Sequence, residues 1–382
     1  MGHVGLNAHL LSGQASYRSA GIHHYLYNLL AHLPAAAPDL RLTVFVGEAN
    51  FVEAQHAASI RVRRSRWPTG RPPIRVAWEQ LALPWLARQE RLDLLHSLAF
   101  VSPVLTSCPA IVTAYDLSFL RYPAYFRPAN RLYLRMLTGL SCRRARQVIA
   151  ISSSTKNDLM GYFGLPAERV TIIYPGCEPQ FRPLPAAQVE EFRTAKGLPE
   201  KFVLYLGTLE PRKNVATLVR AFAAVRRPGL KLVLAGAPGW LVQSLYDAVE
   251  QASLAGDVIL PGYVPAEEKP LWFNAAHLFV YPSEYEGFGL PVLEALACGA
   301  PVIAANSSSL PEVAGAAACL VPPGDPAALA DALRTLLQDG ARRADLAARG
   351  PAQAATFSWP VAAERTVDLY RRFAGGRSGE SI

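Results

Sequence analysis

Strand-like apolar runs alternate with helical patterns along the whole chain, and the alternation breaks once before starting again. In the first half the runs are residues 4–8, 42–46, 93–96, 110–114, 148–152 and 171–174. Stretches with helical periodicity lie between them, among them 22–33 and 78–86. Residues 178–185 (EPQFRPLP) hold three prolines and no regular pattern, and read as a linker. The runs then resume at 202–207, 230–236, 258–261, 278–281, 302–304 and 319–321. Alternation at this spacing means parallel sheets with helices on both faces. Two such halves predict an α/β protein of two doubly wound, Rossmann-like domains, residues 1–178 and 186–358, facing across a cleft. The last helix, within 359–374, is expected to pack back on the first domain. In sheets of this kind ligands bind outside the carboxyl ends of the strands.

With 382 residues, half of them apolar, the chain can bury two cores. No apolar stretch reaches the roughly 18 residues that a membrane span needs, and the N-terminus does not read as a signal peptide. Five scattered cysteines, Cys108, Cys142, Cys177, Cys298 and Cys319, form no Cys-x-x-Cys. They suggest a reducing cytoplasm and argue against a disulfide frame or a structural zinc.

The net charge of +8 is unevenly placed: residues 1–180 carry 19 Lys+Arg against 10 Asp+Glu, residues 181–382 carry 19 against 20. The excess lies in Arg61, Arg63, Arg64, Arg66, Arg71 and Arg75, and again in Arg121, Arg127, Arg131, Arg135, Arg143, Arg144 and Arg146. This is either a solvated basic face or a surface for an anionic partner, such as a lipid diphosphate or a peripheral membrane contact. Nucleic acid is not expected, because no binding motif accompanies the arginines. Segment 61–75, with Pro68, Gly70, Pro72 and Pro73, reads as an exposed loop.

The chemistry concentrates in the second half. Residues 286–299 read EGFGLPVLEALACG. An apolar run enters, Gly287 and Gly289 break it, and a helix starts near Leu290 with Pro291 in its first turn and Gly299 past its end. The helix N-terminus suits an anion such as phosphate, and the glycines let backbone approach it. Glu286 in the loop and Glu294 one turn into the helix can accept hydrogen bonds from hydroxyls on either side of that phosphate. Gly207 opens the loop GTLEPRKN, which puts Arg212 and Lys213 at another strand's carboxyl end, where two cations suit a diphosphate. Tyr263 and Val264 follow a third strand, where a flat base could stack, although a plain turn explains them as well. Asp116 at a strand end in the first half could bind an acceptor hydroxyl or cap the next helix. His9, His23, His24 and His96 are scattered and read as structural. There is no Asp-x-Asp, no phosphate-binding Gly-x-x-x-x-Gly-Lys-Ser/Thr and no Gly-x-Ser-x-Gly. No metal is therefore expected.

Together these stretches resemble the family-four retaining glycosyltransferases of the GT-B fold, whose hallmark is the Glu286-x7-Glu294 pair. The likeness runs through GTLEPRKN, LAGAPGW, LPGYVP, YPSEYEGFGLPVLEALACGAPVIAA, SSLPEVAG and VPPGD, and more loosely through NAHLLSG, AGIHHY, AWEQLALP, DLLHS, YDLSFLRYP and AISSSTKNDL. The looser set resembles the bacterial mannosyl- and rhamnosyltransferase branch. The resemblance implies that Glu286, aided by backbone of Gly287, Phe288, Gly289 and Leu290, holds the donor sugar, and that Glu294 binds the ribose. It implies diphosphate binding by Arg212 and Lys213 and base contacts from Tyr263 and Val264. Gly21 would let a first-domain loop approach the phosphates. Tyr115 stands where many members have His, which puts donor choice or rate in question.

The sequence thus predicts a metal-independent transferase with a nucleotide-sugar donor and a glycan or lipid-linked acceptor. The expected donor is GDP-mannose, with UDP-sugars and dTDP-rhamnose open. A phosphorylase on the same fold, or an inactive nucleotide-sugar- or glycan-binding module, are the rival readings.

Overall fold

The computed structural model describes residues 2–11, 20–47, 60–126, 128–239 and 243–374. They form two compact units: Met1–Gly176 with Ser358–Ile382, and Cys177–Phe357. Among the described residues no helix is long and apolar enough to cross a membrane.

The first unit carries a seven-stranded sheet: β1 His3–Asn7, β2 Arg41–Val46, β3 Ile60–Arg64, β4 Leu94–Ser97, β5 Ala110–Ala114, β6 Gln147–Ala150 and β7 Val170–Ile172. Their spatial order is β3-β2-β1-β4-β5-β6-β7, and every pairing is parallel. β1, β4, β5 and β6 are buried along their whole length, which explains near-continuous apolar runs rather than alternation. The second unit carries six parallel strands: β8 Lys201–Leu206, β9 Leu230–Ala235, β10 Val258–Gly262, β11 Leu278–Tyr281, β12 Val302–Ala305 and β13 Ala318–Val321. Their order is β10-β9-β8-β11-β12-β13. Each sheet therefore reverses its winding once, between β1 and β4 and between β8 and β11. At such a reversal the helices on either side diverge and leave a crevice at the strands' carboxyl ends.

The helix Trp359–Ala374 belongs to the first unit. Trp359 sits edge-on to Tyr25 with ring centroids 5.4 Å apart. Tyr370 shares a 2.6 Å hydrogen bond with Nδ1 of the buried His96, whose Nε2 lies 2.8 Å from Thr113 Oγ1. Arg371 pairs with Asp39 at 2.7 Å. Gly176 is required where this helix begins, because a Cβ there would lie 2.1 Å from the Trp359 nitrogen.

Three sequence expectations are corrected. Segment 61–75 is not one loop: β3 pairs with β2 in register, and a helix occupies Pro72–Ala77. The arginines of β3 hid a strand because edge strands tolerate charge, and Glu90 pairs with Arg61 at 3.1 Å and Arg63 at 3.2 Å. Pro72 and Pro73 start the helix rather than break it, since the first turn needs no N–H from them. Segment 178–185 is not a free linker. Phe181 is buried against Phe273, and the Leu184 N–H donates to Asn274 Oδ1 at 2.9 Å, so the segment is part of the second unit. Gly21 is not in a loop but in the first turn of the helix Ala20–Ala36. Residues 12–19, Arg127, Trp240 and the tail from 375 lie outside the described residues.

Burial lowers the pKa of His96 to about 3, and burial with the charge of Arg75 lowers that of His9 to about 3. In the unfolded chain both protonate near 6.5. Below that pH the unfolded state binds more protons, so the stability these groups contribute is complete above about pH 6.5 and is lost as pH falls towards 3. Calorimetric scans should show a falling melting temperature from pH 6.5 to 4.5; a flat profile would contradict the assignment. Tyr370→Phe leaves His96 Nδ1 buried without a partner and should cost about 1–3 kcal/mol, read in the same scans at pH 7.

Candidate functional site

The carboxyl ends of β8 and β11 flank the reversal in the second sheet, and the residues singled out by sequence converge there. After β8, Gly207 passes directly under the loop that follows β9: a Cβ on Gly236 would lie 1.9 Å from the Gly207 oxygen. The chain then makes a single tight turn, Pro211–Lys213. Asn214 closes it in the left-handed region at φ 55° before the helix Val215–Ala223. That turn aims Arg212 and Lys213 at the segment after β11.

The two loops are joined by direct bonds. The Glu284 N–H and Ser283 Oγ donate to the Arg212 oxygen at 3.0 and 3.3 Å. Arg212 donates through Nη1 to the Tyr285 oxygen at 3.2 Å, and through Nη2 to Glu210 at 2.9 Å. Lys213 Nζ donates to Glu286 Oε1 at 2.5 Å and to the Tyr281 hydroxyl at 3.1 Å. Tyr281 in turn stacks on Tyr205, with ring centroids 5.8 Å apart. Lys213 and Glu286 are both buried. Burial opposes ionisation of Glu286, but the charges of Lys213 and Arg212, with hydrogen bonds from Lys213 and Ser283, outweigh it and hold its pKa below the ordinary carboxylate value. Glu286 is thus an anion at neutral pH. The two expected cations are not bare: each already faces a carboxylate, because a buried charge without a partner is costly. An ammonium has three hydrogens, and two of those on Lys213 are engaged.

Three serines after β12 hold the Glu286 loop in place. Ser307 Oγ donates to the Ser283 oxygen at 2.8 Å. Ser308 Oγ accepts from the Glu286 N–H at 2.9 Å. Ser309 Oγ is shared between the oxygens of Glu286 and Phe288, at 3.0 and 2.7 Å. Sequence reasoning missed all three as supports, because nothing in a serine run says which strand it will face.

Gly289 precedes the helix Leu290–Ala297 at φ 106°, and a Cβ there would sit 2.6 Å from Leu310 Cδ2. Conformation and packing both demand this glycine, without appeal to a ligand. Phe288 is a core side chain, edge-on to Phe357 at 5.3 Å, so only its backbone is available for binding. Gly287 is buried in the same bend, and Leu290 is half-buried. Glu294 is buried one turn into the helix, and both its oxygens lie 3.3 Å from Lys269 Nζ. Lys269 opens the helix Lys269–Ala275 and carried no sequence signal. Of the pair after β10, Val264 is buried, while Tyr263 is 53% exposed.

Asp116 and Gly21 belong to the first unit. Asp116 Oδ1 accepts from the Ser118 N–H at 2.9 Å and from its hydroxyl at 2.7 Å, holding the short turn Ser118–Arg121. Tyr115 points inward: its hydroxyl donates to the Leu98 oxygen at 2.6 Å, and burial pushes its pKa well above the ordinary tyrosine value. Gly21 is exposed, with nothing within 4 Å of where a Cβ would stand.

Residues 188–353 match the family model for glycosyl transferases group 1, and residues 19–181 match that for glycosyltransferase family 4. Over 380 residues the chain is 31% identical to O-antigen chain mannosyltransferase B of Escherichia coli, covering 93% of this chain and 97% of that protein. The chain belongs to the family-four glycosyltransferases. The glycosyltransferase shares its GT-B fold with sucrose-phosphate synthase from Thermosynechococcus elongatus, at a TM-score of 0.77 and 22% identity over 97% of this chain and 99% of that one. It shares the fold also with Anabaena HepE solved in complex with UDP, at 0.75 and 22% over 97% and 100%.

Removing one member of the buried pair strands the other. Lys213→Met should destabilise the glycosyltransferase by about 3–5 kcal/mol, and adding Glu286→Gln should restore much of that loss. Denaturant unfolding of the two single variants and the double variant checks this; an additive double variant would show that the pair is not coupled.

Proposed function

We propose that the protein transfers a mannosyl residue from GDP-mannose to a hydroxyl of a glycan or lipid-linked acceptor, with retention at the anomeric carbon and without a metal ion. The observation that carries the reading is the buried Lys213–Glu286 pair beside Arg212 at the reversal of the second sheet. A chain-length likeness to a mannosyltransferase supports it. In this reading the ionised Glu286 accepts hydrogen bonds from donor-sugar hydroxyls. The remaining hydrogen of Lys213, the Arg212 guanidinium and the start of the helix Leu290–Ala297 take the diphosphate and stabilise its charge as it leaves. Backbone of Gly287, Phe288, Gly289 and Leu290 lines that approach, and Gly207 keeps the β8 loop close-packed beneath it. Glu294 exchanges its Lys269 partner for ribose hydroxyls, and Tyr263 and Val264 contact the base. Asp116 contributes to holding the acceptor. The departing diphosphate oxygen takes the acceptor's proton on the face where it leaves, so no protein base is required. The arginines of the first unit would draw a lipid-linked acceptor or an anionic membrane surface. Because HepE is solved with UDP, UDP-sugars are the first alternative donors to test, followed by dTDP-rhamnose.

The test is product formation from GDP-mannose, UDP-glucose and dTDP-rhamnose, with the anomeric configuration of the product read by NMR. Glu286→Gln should lower kcat at least about a hundredfold; the variant loses stability with its ion pair, so its kcat is read at a temperature where circular dichroism shows it folded. Turnover unchanged in that variant would remove Glu286 from the mechanism, and turnover only with another donor would reassign the nucleotide.

A further inference from the structure

The first sheet also reverses, between β1 and β4, and the residues gathered at the carboxyl end of β1 are polar and buried. Asn7, His9, Thr69 and Glu79 all lie below one-tenth exposure. Glu79 sits on a single π-helical turn, Trp78–Ala82, between the helices Pro72–Ala77 and Leu83–Gln89. Such turns add a residue to the helix, redirect its side chains and concentrate at functional sites.

The hydrogen bonds here run in one direction. The backbone N–H and Nδ1 of His9 both lie against Asn7 Oδ1, at 3.4 and 3.1 Å. A backbone N–H can only donate, so Asn7 Oδ1 is the acceptor, and His9 carries its proton on Nδ1. His9 Nε2 is then a bare acceptor. The Asn7 amide is near enough to Glu79 to oppose the rise in its pKa. Three buried atoms remain without a partner among the described residues: His9 Nε2, Glu79 Oε2 and Thr69 Oγ1. His9 and Thr69 meet at Gly47, and Glu79 lies beside Asn7 and next in sequence to Trp78. A Cβ on Gly47 would stand 2.7 Å from Thr69 Oγ1 and 3.6 Å from the His9 ring, and that ring lies against Trp78 with centroids 3.8 Å apart. Each unpartnered buried group is costly, and three of them about the carboxyl ends of β1 and β2 mark a site built for a ligand.

The chemistry of the three atoms selects that ligand. His9 Nε2 only accepts, and the Thr69 hydroxyl both donates and accepts. Burial raises the Glu79 pKa to about 7 against the opposing effects of Arg75 and Asn7, so its carboxyl can donate as well as accept near neutral pH. Neighbouring hydroxyls, each a donor and an acceptor, complement this set. We propose that His9, Thr69 and Glu79 form a subsite that binds the hydroxyls of a sugar residue of the acceptor glycan. The identity of that glycan rests on the function proposed above; the subsite itself rests on the three atoms.

Saturation-transfer NMR of methyl α-mannoside with the full chain, without nucleotide, tests this separately from transfer. The wild type should show saturation transfer. Thr69→Val, which keeps the side chain's shape, and Glu79→Gln should each weaken binding about five- to tenfold, with GDP affinity by calorimetry changed less than twofold. Sugar binding that depends on Thr69 and Glu79 in a protein without transferase turnover supports the subsite and overturns only the donor reading. Should Glu79→Gln fail to fold, Thr69→Val alone decides. No binding by the wild type, or equal binding by wild type and Thr69→Val, overturns the proposal and leaves buried water as the partner of these atoms.

Discussion

The second unit is organised around one ion pair held out of water. Lys213 and Glu286 come from loops after different strands, 73 residues apart in sequence. Neither charge could stay buried without the other. Their bond fixes the β8 and β11 loops to each other, and the bonds of Arg212 to both loops reinforce it. The same contact keeps Glu286 ionised and leaves hydrogen-bonding capacity on Lys213. Architecture and proposed chemistry therefore draw on the same few atoms. A ligand entering here meets a preset, almost neutral constellation rather than two free cations. In the proposed function, binding is an exchange of partners by protein charges that are already out of water.

The supporting shell shows why this constellation can be rigid. Ser307, Ser308 and Ser309 reach from β12 to hold the backbone on either side of Glu286. Tyr205 and Tyr281 stack beneath Lys213. Gly289 turns the chain at a φ that only glycine adopts at ease, against a leucine that leaves no room for a Cβ. Each device is local and inexpensive, and together they fix one geometry.

Most of the sheet was legible because its strands are buried on both faces and so read as unbroken apolar runs. β3 was not, because it is an edge whose arginines find Glu90. The start of the helix at Pro72 was not, because proline reads as a breaker unless its position in the first turn is known. Within the site, the glycines and acids of 286–294 were legible as a pattern of residue types. Lys269, Glu210 and the three serines were not, because their roles follow from which strands become neighbours. His9, His23, His24 and His96 read as structural. For His96, held between Tyr370 and Thr113, that reading is sufficient. For His9 it omits a ring nitrogen with no partner.

The helix Trp359–Ala374 carries one more consequence. It belongs to the first unit, yet it is encoded after the whole of the second. The second unit is in effect an insertion in the first. On the ribosome, residues 177–357 emerge as one uninterrupted stretch and can fold as soon as they are made. The first unit, although begun earlier, must wait for residues 359–374 to cover Tyr25 and His96. During synthesis the older half is therefore the later one to mature, and its unfinished apolar face is the surface a chaperone would meet.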